Sequence, residues 1–287
     1  MTARGVSYQD WLDDFCYEKK GRGLAEKSIN GYRYSVQKFL DFLENNEISK
    51  SSYYSYLASL DVSPTSKIHY ARDLRCFLYW CQDEGLLPRF KVSLPKAQEP
   101  LPKIVSSEDV ARLLQRGKTF PEDRMRAVVC LILATGLRAR SIVNILTDDV
   151  DLENQLIQIR ALKSKKVIFL PMTDSLCYEL NRYIKRWDLG VWLFPKEDGG
   201  QLQSEGLQSA YKRYAHKRGV PYGLHALRHY YATEAVKAGM TPFALQKVLG
   251  HTDINVTMRY VNLVNGDLGK EMSKVDLITK DKYIKDR

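Results

Sequence analysis

The stretch Ala127-Val128-Val129-Cys130-Leu131-Ile132-Leu133-Ala134-Thr135-Gly136-Leu137-Arg138 decides how this chain is read. From Ala127 to Leu133 it is apolar on every side at helical period, which marks a helix buried on all faces. The run ends at Ala134, far too short to span a bilayer. Gly136 stops the helix, and Arg138 follows at once. A guanidinium beside a buried helix is costly to desolvate unless an anion meets it. The plain alternative is that Arg138 caps the carbonyls of that helix.

Downstream, Leu156-Ile157-Gln158-Ile159 and Val167-Ile168-Phe169-Leu170-Pro171 read as two strands around a tight basic turn, Lys163-Ser164-Lys165-Lys166. The remainder is helical with clear punctuation. Gly239 ends one helix, Thr241-Pro242 caps and starts the next, and Gly250 ends that one. Upstream, Ser106-Ser107-Glu108-Asp109 opens a helix with a capping serine and acids at its positive end. A mostly helical domain with one small antiparallel sheet is expected over 104–287.

The N-terminal third, 1–87, reads as helices. Trp11, Leu12, Phe15 and Cys16 mark the first, and Tyr53 to Leu60 carry a short one. Ile29, Val36, Phe39, Leu40 and Leu43 form an apolar stripe, with Lys27, Tyr34 and Lys38 opposite. After Ser63-Pro64-Thr65, Leu74, Phe77, Leu78 and Cys81 face inward while Arg72 and Arg75 lie three apart on the other side. Between the two halves, 88–103 holds Pro88, Pro95, Pro100 and Pro102 and no apolar period, so it reads as an extended linker.

Charge divides the same way. Residues 1–95 hold 13 basic and 12 acidic side chains, and 96–287 hold 31 and 22, so nearly all of the net +10 lies in the second part. Such an excess favours a polyanionic partner, nucleic acid before a membrane surface. At 44% hydrophobic and 27% charged residues, intrinsic disorder is excluded. Five cysteines without a C-x-x-C pair, and a start lacking an apolar signal segment, point to a reduced cytoplasmic chain.

Three further stretches stand beside Arg138. In His225-Ala226-Leu227-Arg228, a helix would present His225 and Arg228 on one face, two donors to one point. His229 points elsewhere, with packing or a backbone hydrogen bond as its expected role. Leu249-Gly250-His251 is followed nine residues later by Tyr260 in Thr257-Met258-Arg259-Tyr260. A histidine just past a glycine-terminated helix is ordinarily a C-cap, and Tyr260 is one of 18 tyrosines. Lys163 at a hairpin tip is ordinarily a solvated turn lysine.

Taken in order, Arg138, Lys163, His225-x-x-Arg228, His251 and Tyr260 resemble the tyrosine recombinase family, also called the phage integrase family. The resemblance spans essentially the whole chain. Ala134–Arg138 is similar to the family's first-arginine box, and Lys163 precedes Pro171 by the family's interval. His225–His229 with Ala232-Thr233 is similar to the second box, and Leu249-Gly250-His251 with Tyr260 to the third. The Ser28, Tyr32, Phe39, Phe42 pattern and the Pro64–Leu86 segment resemble the family's helical, SAM-like core-binding domain. With that domain starting near residue 7, no extra arm-binding domain is expected, as in Xer-like or transposon-resolvase members. Ser141 departs from the family, which often has an acidic residue there; Asp149 matches a later acidic position.

The resemblance implies a site-specific DNA recombinase that cuts and rejoins strands through a 3′-phosphotyrosyl link. Arg138 and Arg228 would clamp the phosphate by bidentate hydrogen bonds without losing their protons. His225 and His251 would donate to its non-bridging oxygens, and either could take the proton of the nucleophile. Tyr260 would attack, its phenolate favoured by a cationic pocket, and Lys163 would protonate the leaving 5′ oxygen. Neither a P-loop nor a carboxylate cluster is present, so no metal and no cofactor is expected. Lys27, Lys38, Arg72 and Arg75 are the candidate DNA contacts. The implied partners are a double-stranded site with inverted arms and a homotetramer formed through a tail carrying Leu263, Leu268, Met272 and Val275. Two rivals stay open: a topoisomerase-like nicking-closing enzyme, and a non-catalytic DNA-binding protein of the same fold.

Overall fold

The computed structural model describes residues 7–44, 46–96, 105–160, 167–251 and 253–264. The chain divides into two compact units, Met1–Pro100 and Leu101–Arg287.

The first unit is built from α1 (Tyr8–Gly21), α2 (Glu26–Leu43), α3 (Lys50–Ser59) and α4 (Pro64–Asp83). Serines start three of them. Ser7 and Ser49 form reciprocal capping boxes with Asp10 and Ser52, and Ser63 caps α4 with Pro64 in its first turn. The expected stripes meet in one core: Leu12 and Phe15 of α1, Val36 and Phe39 of α2, Tyr53 of α3, and Leu74, Phe77 and Leu78 of α4. Each such fully buried side chain contributes about 1.5–3 kcal/mol by leaving water. The Ser35 hydroxyl adds a polar tie across α2 and α4, donating to Asp73 Oδ2 at 2.6 Å.

Part of the expected linker belongs to this unit. Val92 is buried in its core, with Phe90 and Leu94 packed alongside. Tyr53 and Tyr79 donate their hydroxyls to the carbonyls of Ser93 and Val92. Prolines and the lack of a helical period make this segment extended, but its apolar side chains still find a core. Residues 97–104 lie outside the described ones.

In the second unit, α5 (Ser107–Leu113) starts with the expected box, Ser106 with Asp109. The central α6 (Phe120–Thr135) buries residues on all faces, including Val128, Val129, Leu131 and Ile132. It is followed by the single-turn α7 (Ala139–Ile142), then β1 (Val150–Asp151), β2 (Leu156–Arg160) and β3 (Val167–Pro171). The sheet is antiparallel in the order β1-β2-β3, with Leu156 opposite Pro171 and Arg160 opposite Val167. β1 is two residues long, too short for any periodicity to reveal it. Then come α8 (Asp174–Arg186), α9 (Ser204–His216), α10 (Leu224–Lys237), α11 (Pro242–Leu249) and α12 (Ile254–Val264).

Charges fasten α6 to α8. Asp123 is fully buried and accepts two bonds from Arg182, at 3.0 and 2.7 Å, and one from the Trp187 indole at 2.9 Å. Arg126 pairs with Glu179 in the same layer. At its other end α6 stops on Gly136, whose φ of 63° is left-handed. A Cβ there would come within 2.5 Å of Tyr231 and 2.6 Å of Leu249, so only glycine lets this turn sit against α10 and α11. A separate small core of Ala232, Ala235, Leu245, Leu249 and Tyr260 binds α10, α11 and α12 together. No helix among the described residues is long and apolar enough to cross a membrane.

Candidate active site

Four of the six sequence-identified residues meet where the ends of α6, α10, α11 and α12 converge. Arg228, on α10, is 2% exposed. Its Nη1 donates to Gly136 O at 2.6 Å, and its Nη2 donates to Leu249 O at 2.9 Å. Arg138 stands just past the α6 turn and is exposed. Its Nη1 donates to Leu249 O and Gly250 O, both at 3.2 Å. Arg138 thus does cap a helix, but the helix is α11, 111 residues downstream, rather than the one preceding it. Both guanidiniums share one carbonyl at the negative end of α11. Arg138 spends only its Nη1 hydrogens there, which leaves its Nη2 and Nε for an incoming anion.

His251 follows the left-handed Gly250, φ 62°, that closes α11. Its Nε2 lies 2.9 Å from Arg228 Nη2, and its Nδ1 lies 2.8 Å from Thr257 Oγ1. A guanidinium only donates, so Nε2 accepts and Nδ1 carries the hydrogen, donating it to Thr257. Burial, with the charges of Arg228 and Arg138, pushes the imidazole down to about 4, so the ring is neutral at pH 7. In this arrangement its one N–H goes to Thr257 and its lone pair accepts from Arg228, whereas the family resemblance implies a donor to phosphate.

Tyr260, on α12, is 6% exposed. Its ring lies parallel to that of His251, with centroids 6.5 Å apart. The expected cationic shift toward phenolate is reversed. Burial outweighs the pull of Arg228 and Arg138, and the Tyr260 hydroxyl is raised above its usual range. A neighbouring histidine can receive its proton. His229 neither packs passively nor bonds backbone: its Nδ1 lies 2.7 Å from the Tyr260 hydroxyl. Spacing carried this signal, because His229 is four residues from His225 and shares its helix face. The two rings meet edge to face at 4.4 Å. Thr257, fully buried, carried no such signal and meets His251 only through the placement of α12.

His225 is exposed at the mouth of a cleft of about 880 Å³. Arg138, Arg140, Lys212, His216 and Arg228 line the same cleft, a cationic surface suited to a polyanion. Desolvation by the cleft walls, then Arg228 and Arg138, lower the His225 pKa. Lys163 lies outside the described residues. Asp149 is elsewhere, accepting from Leu146 N at 2.8 Å and pairing with Arg160 of β2, so its role is structural.

In the first unit, Lys27 and Lys38 lie exposed on α2, and Arg72 and Arg75 lie on α4, Arg72 exposed and Arg75 half-buried. Lys38 sits over the Tyr34 ring at 4.8 Å, and Tyr34 approaches Tyr70 of α4. A cation–aromatic patch forms there that spacing on α2 alone did not display.

A family model described as the phage integrase family matches residues 103–265, more than half of the chain. The chain belongs to the phage integrase family. As a tyrosine recombinase, it is an enzyme of site-specific DNA recombination that acts through a tyrosine. Tyrosine recombinase XerA of Thermococcus kodakarensis is 29% identical over 265 residues, covering 90% of this chain and 92% of the relative. Tyrosine recombinase XerD of Staphylococcus epidermidis (strain ATCC 35984) is 26% identical, covering 87% and 92%. The fold matches a lambda integrase tetramer bound to a Holliday junction, with a TM-score of 0.74 at 16% identity over 90% of this chain and 78% of that one. It also matches XerH bound to a palindromic difH substrate, with a TM-score of 0.70 at 20% identity over 91% and 83%. The recombinase's partner is DNA.

Proposed function

We propose that Tyr260 is the nucleophile of this tyrosine recombinase and that Arg138 and Arg228 are its phosphate clamp. One observation carries the reading: an unbroken chain of contacts runs from the two arginines, through Leu249 O and His251, to the ring of Tyr260. Attack on a phosphodiester builds negative charge on the non-bridging oxygens. Arg138 meets it with its unspent Nη2 and Nε, and Arg228 with its Nε and remaining Nη1 hydrogen. His225, at the cleft mouth, donates a further bond. The new bond joins Tyr260 Oη to phosphorus, and the bond to the 5′ oxygen breaks. Lys163 supplies the proton that this poor leaving group needs, a role supported by its position in the family pattern. The ester's free energy stays in the 3′-phosphotyrosyl link, so rejoining needs no ATP.

On the same reading, the first unit grips a site with inverted arms through Lys27, Lys38, Arg72 and Arg75. Residues 1–87 form the core-binding domain, 104–287 the catalytic one, and its C-terminal tail, with Leu263, Leu268, Met272 and Val275, joins four protomers on two sites in the cytoplasm.

The test uses nicked duplex fragments of the DNA flanking its own gene, incubated with the full chain without metal or ATP. A denaturing gel scores covalent adducts. Wild type is expected to give an adduct, and Tyr260→Phe none while retaining its shift of the same fragment, because only the nucleophilic oxygen is gone. An adduct that survives Tyr260→Phe overturns the assignment.

A further inference from the structure

The acid–base arrangement around the nucleophile is incomplete with the six family-pattern residues alone. Tyr260 must lose a proton before or during attack, and burial makes that loss harder than in water. His251 has no lone pair to offer while Arg228 occupies Nε2 and Thr257 receives the Nδ1 hydrogen. His225 touches the site from the cleft side, where its ring meets that of His229 edge to face. The ring atom nearest the phenol is His229 Nδ1, at 2.7 Å, within reach for direct proton transfer. We infer that His229 is a catalytic residue, the general base that takes the Tyr260 proton during cleavage and returns it during rejoining.

This inference rests on Tyr260 being the nucleophile. The balance is simple. As Tyr260 Oη bonds to phosphorus, its hydrogen passes to His229 Nδ1 and leaves an imidazolium. On rejoining, the Oη–phosphorus bond breaks and the phenolate oxygen recovers that hydrogen. The surroundings suit the cycle. Desolvation, followed by His225 and Arg228, lowers the His229 pKa, so the resting ring is neutral and has a lone pair available. The charged and titratable groups acting on it are His225 and Arg228 from α10, His251 just past α11, and Tyr260 from α12. An incoming phosphate adds negative charge that favours the imidazolium, while the arginines favour the phenolate. The backbone of His229 is fixed as well, its carbonyl accepting from Thr233 Oγ1 at 2.9 Å.

Two measurements on the full chain test it. The first is single-turnover adduct formation on the nicked fragment that wild type cleaves, across pH 6–9, for His229→Ala and His229→Asn. Asparagine keeps an acceptor near Nδ1 but cannot hold the proton. Loss of a general base is expected to slow cleavage roughly 100-fold or more near neutral pH with fragment binding unchanged. The remaining rate should climb with pH toward about tenfold per unit, as it comes to depend on free phenolate, and imidazole should partly rescue His229→Ala. If His229→Asn cleaves like wild type with the same pH profile, the histidine only holds Tyr260 and the inference fails. Should His229→Ala lose its fold, His229→Asn carries the test alone. Failure of the underlying reading looks different: Tyr260→Phe would still form an adduct whatever stands at 229.

The second measurement needs no DNA. Imidazole ¹⁵N spectra of the DNA-free chain at pH 7 should show His229 neutral with Nδ1 unprotonated. A ring carrying its hydrogen on Nδ1, and donating to Tyr260, overturns the inference.

Discussion

Thr257→Val removes one hydroxyl from α12 while keeping nearly the same volume, and it isolates what holds His251. Thr257 is fully buried and receives the His251 Nδ1 hydrogen at 2.8 Å. With valine there, that N–H loses its acceptor. Leaving a buried donor unpaired costs about 1–3 kcal/mol. The ring can escape only by moving its hydrogen to Nε2, which would then face the Nη2 donor of Arg228, 2.9 Å away, and lose that bond instead. Either outcome withdraws support from the clamp by a similar amount. At about 1.4 kcal/mol per factor of ten, adduct formation is expected to slow roughly 5- to 150-fold. Stability should fall with it, by about 2–4 °C in Tm per kcal/mol for a unit of this size. The assay is single-turnover cleavage of the nicked fragment, with melting and imidazole ¹⁵N spectra alongside. A cleavage rate within about twofold of wild type, with an unchanged His251 tautomer, would refute the reasoning.

Gly136→Ala places a methyl group within 2.6 Å of both Tyr231 and Leu249 at a left-handed φ of 63°. The backbone cost of about 1–2 kcal/mol and crowding of about 1–3 kcal/mol should lower Tm by roughly 5 °C or more. They should also weaken cleavage, because Gly136 O is a partner of Arg228; an unchanged melting curve would contradict the packing described. Glu122 accepts from Lys217 Nζ at 2.6 Å and from Lys118 N at 3.0 Å, which hold its carboxyl down to about 2. Since its folded pKa lies below the unfolded one, its stabilisation is complete above about pH 4.5 and is lost as pH falls toward 2. Glu122→Gln should therefore melt earlier than wild type at pH 7, with the gap closing in acid. Lys217 is 73% exposed, so the gap should amount to no more than about 1 kcal/mol and shrink with salt; a gap that widens in acid would reverse the sign.

Much of this protein was legible in its residue order. The α1, α2 and α4 stripes could be read because each apolar residue recurs at the helical period and must leave water. Gly136 and Gly250 could be read because both end helices in a conformation that glycine adopts cheaply. The antiparallel β2–β3 pair followed from two short β-branched runs flanking a turn. Arg138, Lys163, His225, Arg228, His251 and Tyr260 stood out together only through their resemblance to the family's ordered boxes, since each alone has an ordinary structural reading. Other features depend on residues that are distant in sequence. Arg138 caps a helix 111 residues away, and Arg228 bonds Gly136 O, 92 residues before it. Phe90, Val92 and Leu94 join the first core although Pro88 and Pro95 on either side read as linker. The acidity of Tyr260 was misjudged for the same reason: charge can be counted along a chain, whereas desolvation exists only once the chain has closed around the group. His229 lies between the two cases. Its helix face was set by the sequence, but only the approach of α12 to α10 brought a phenol to its ring nitrogen.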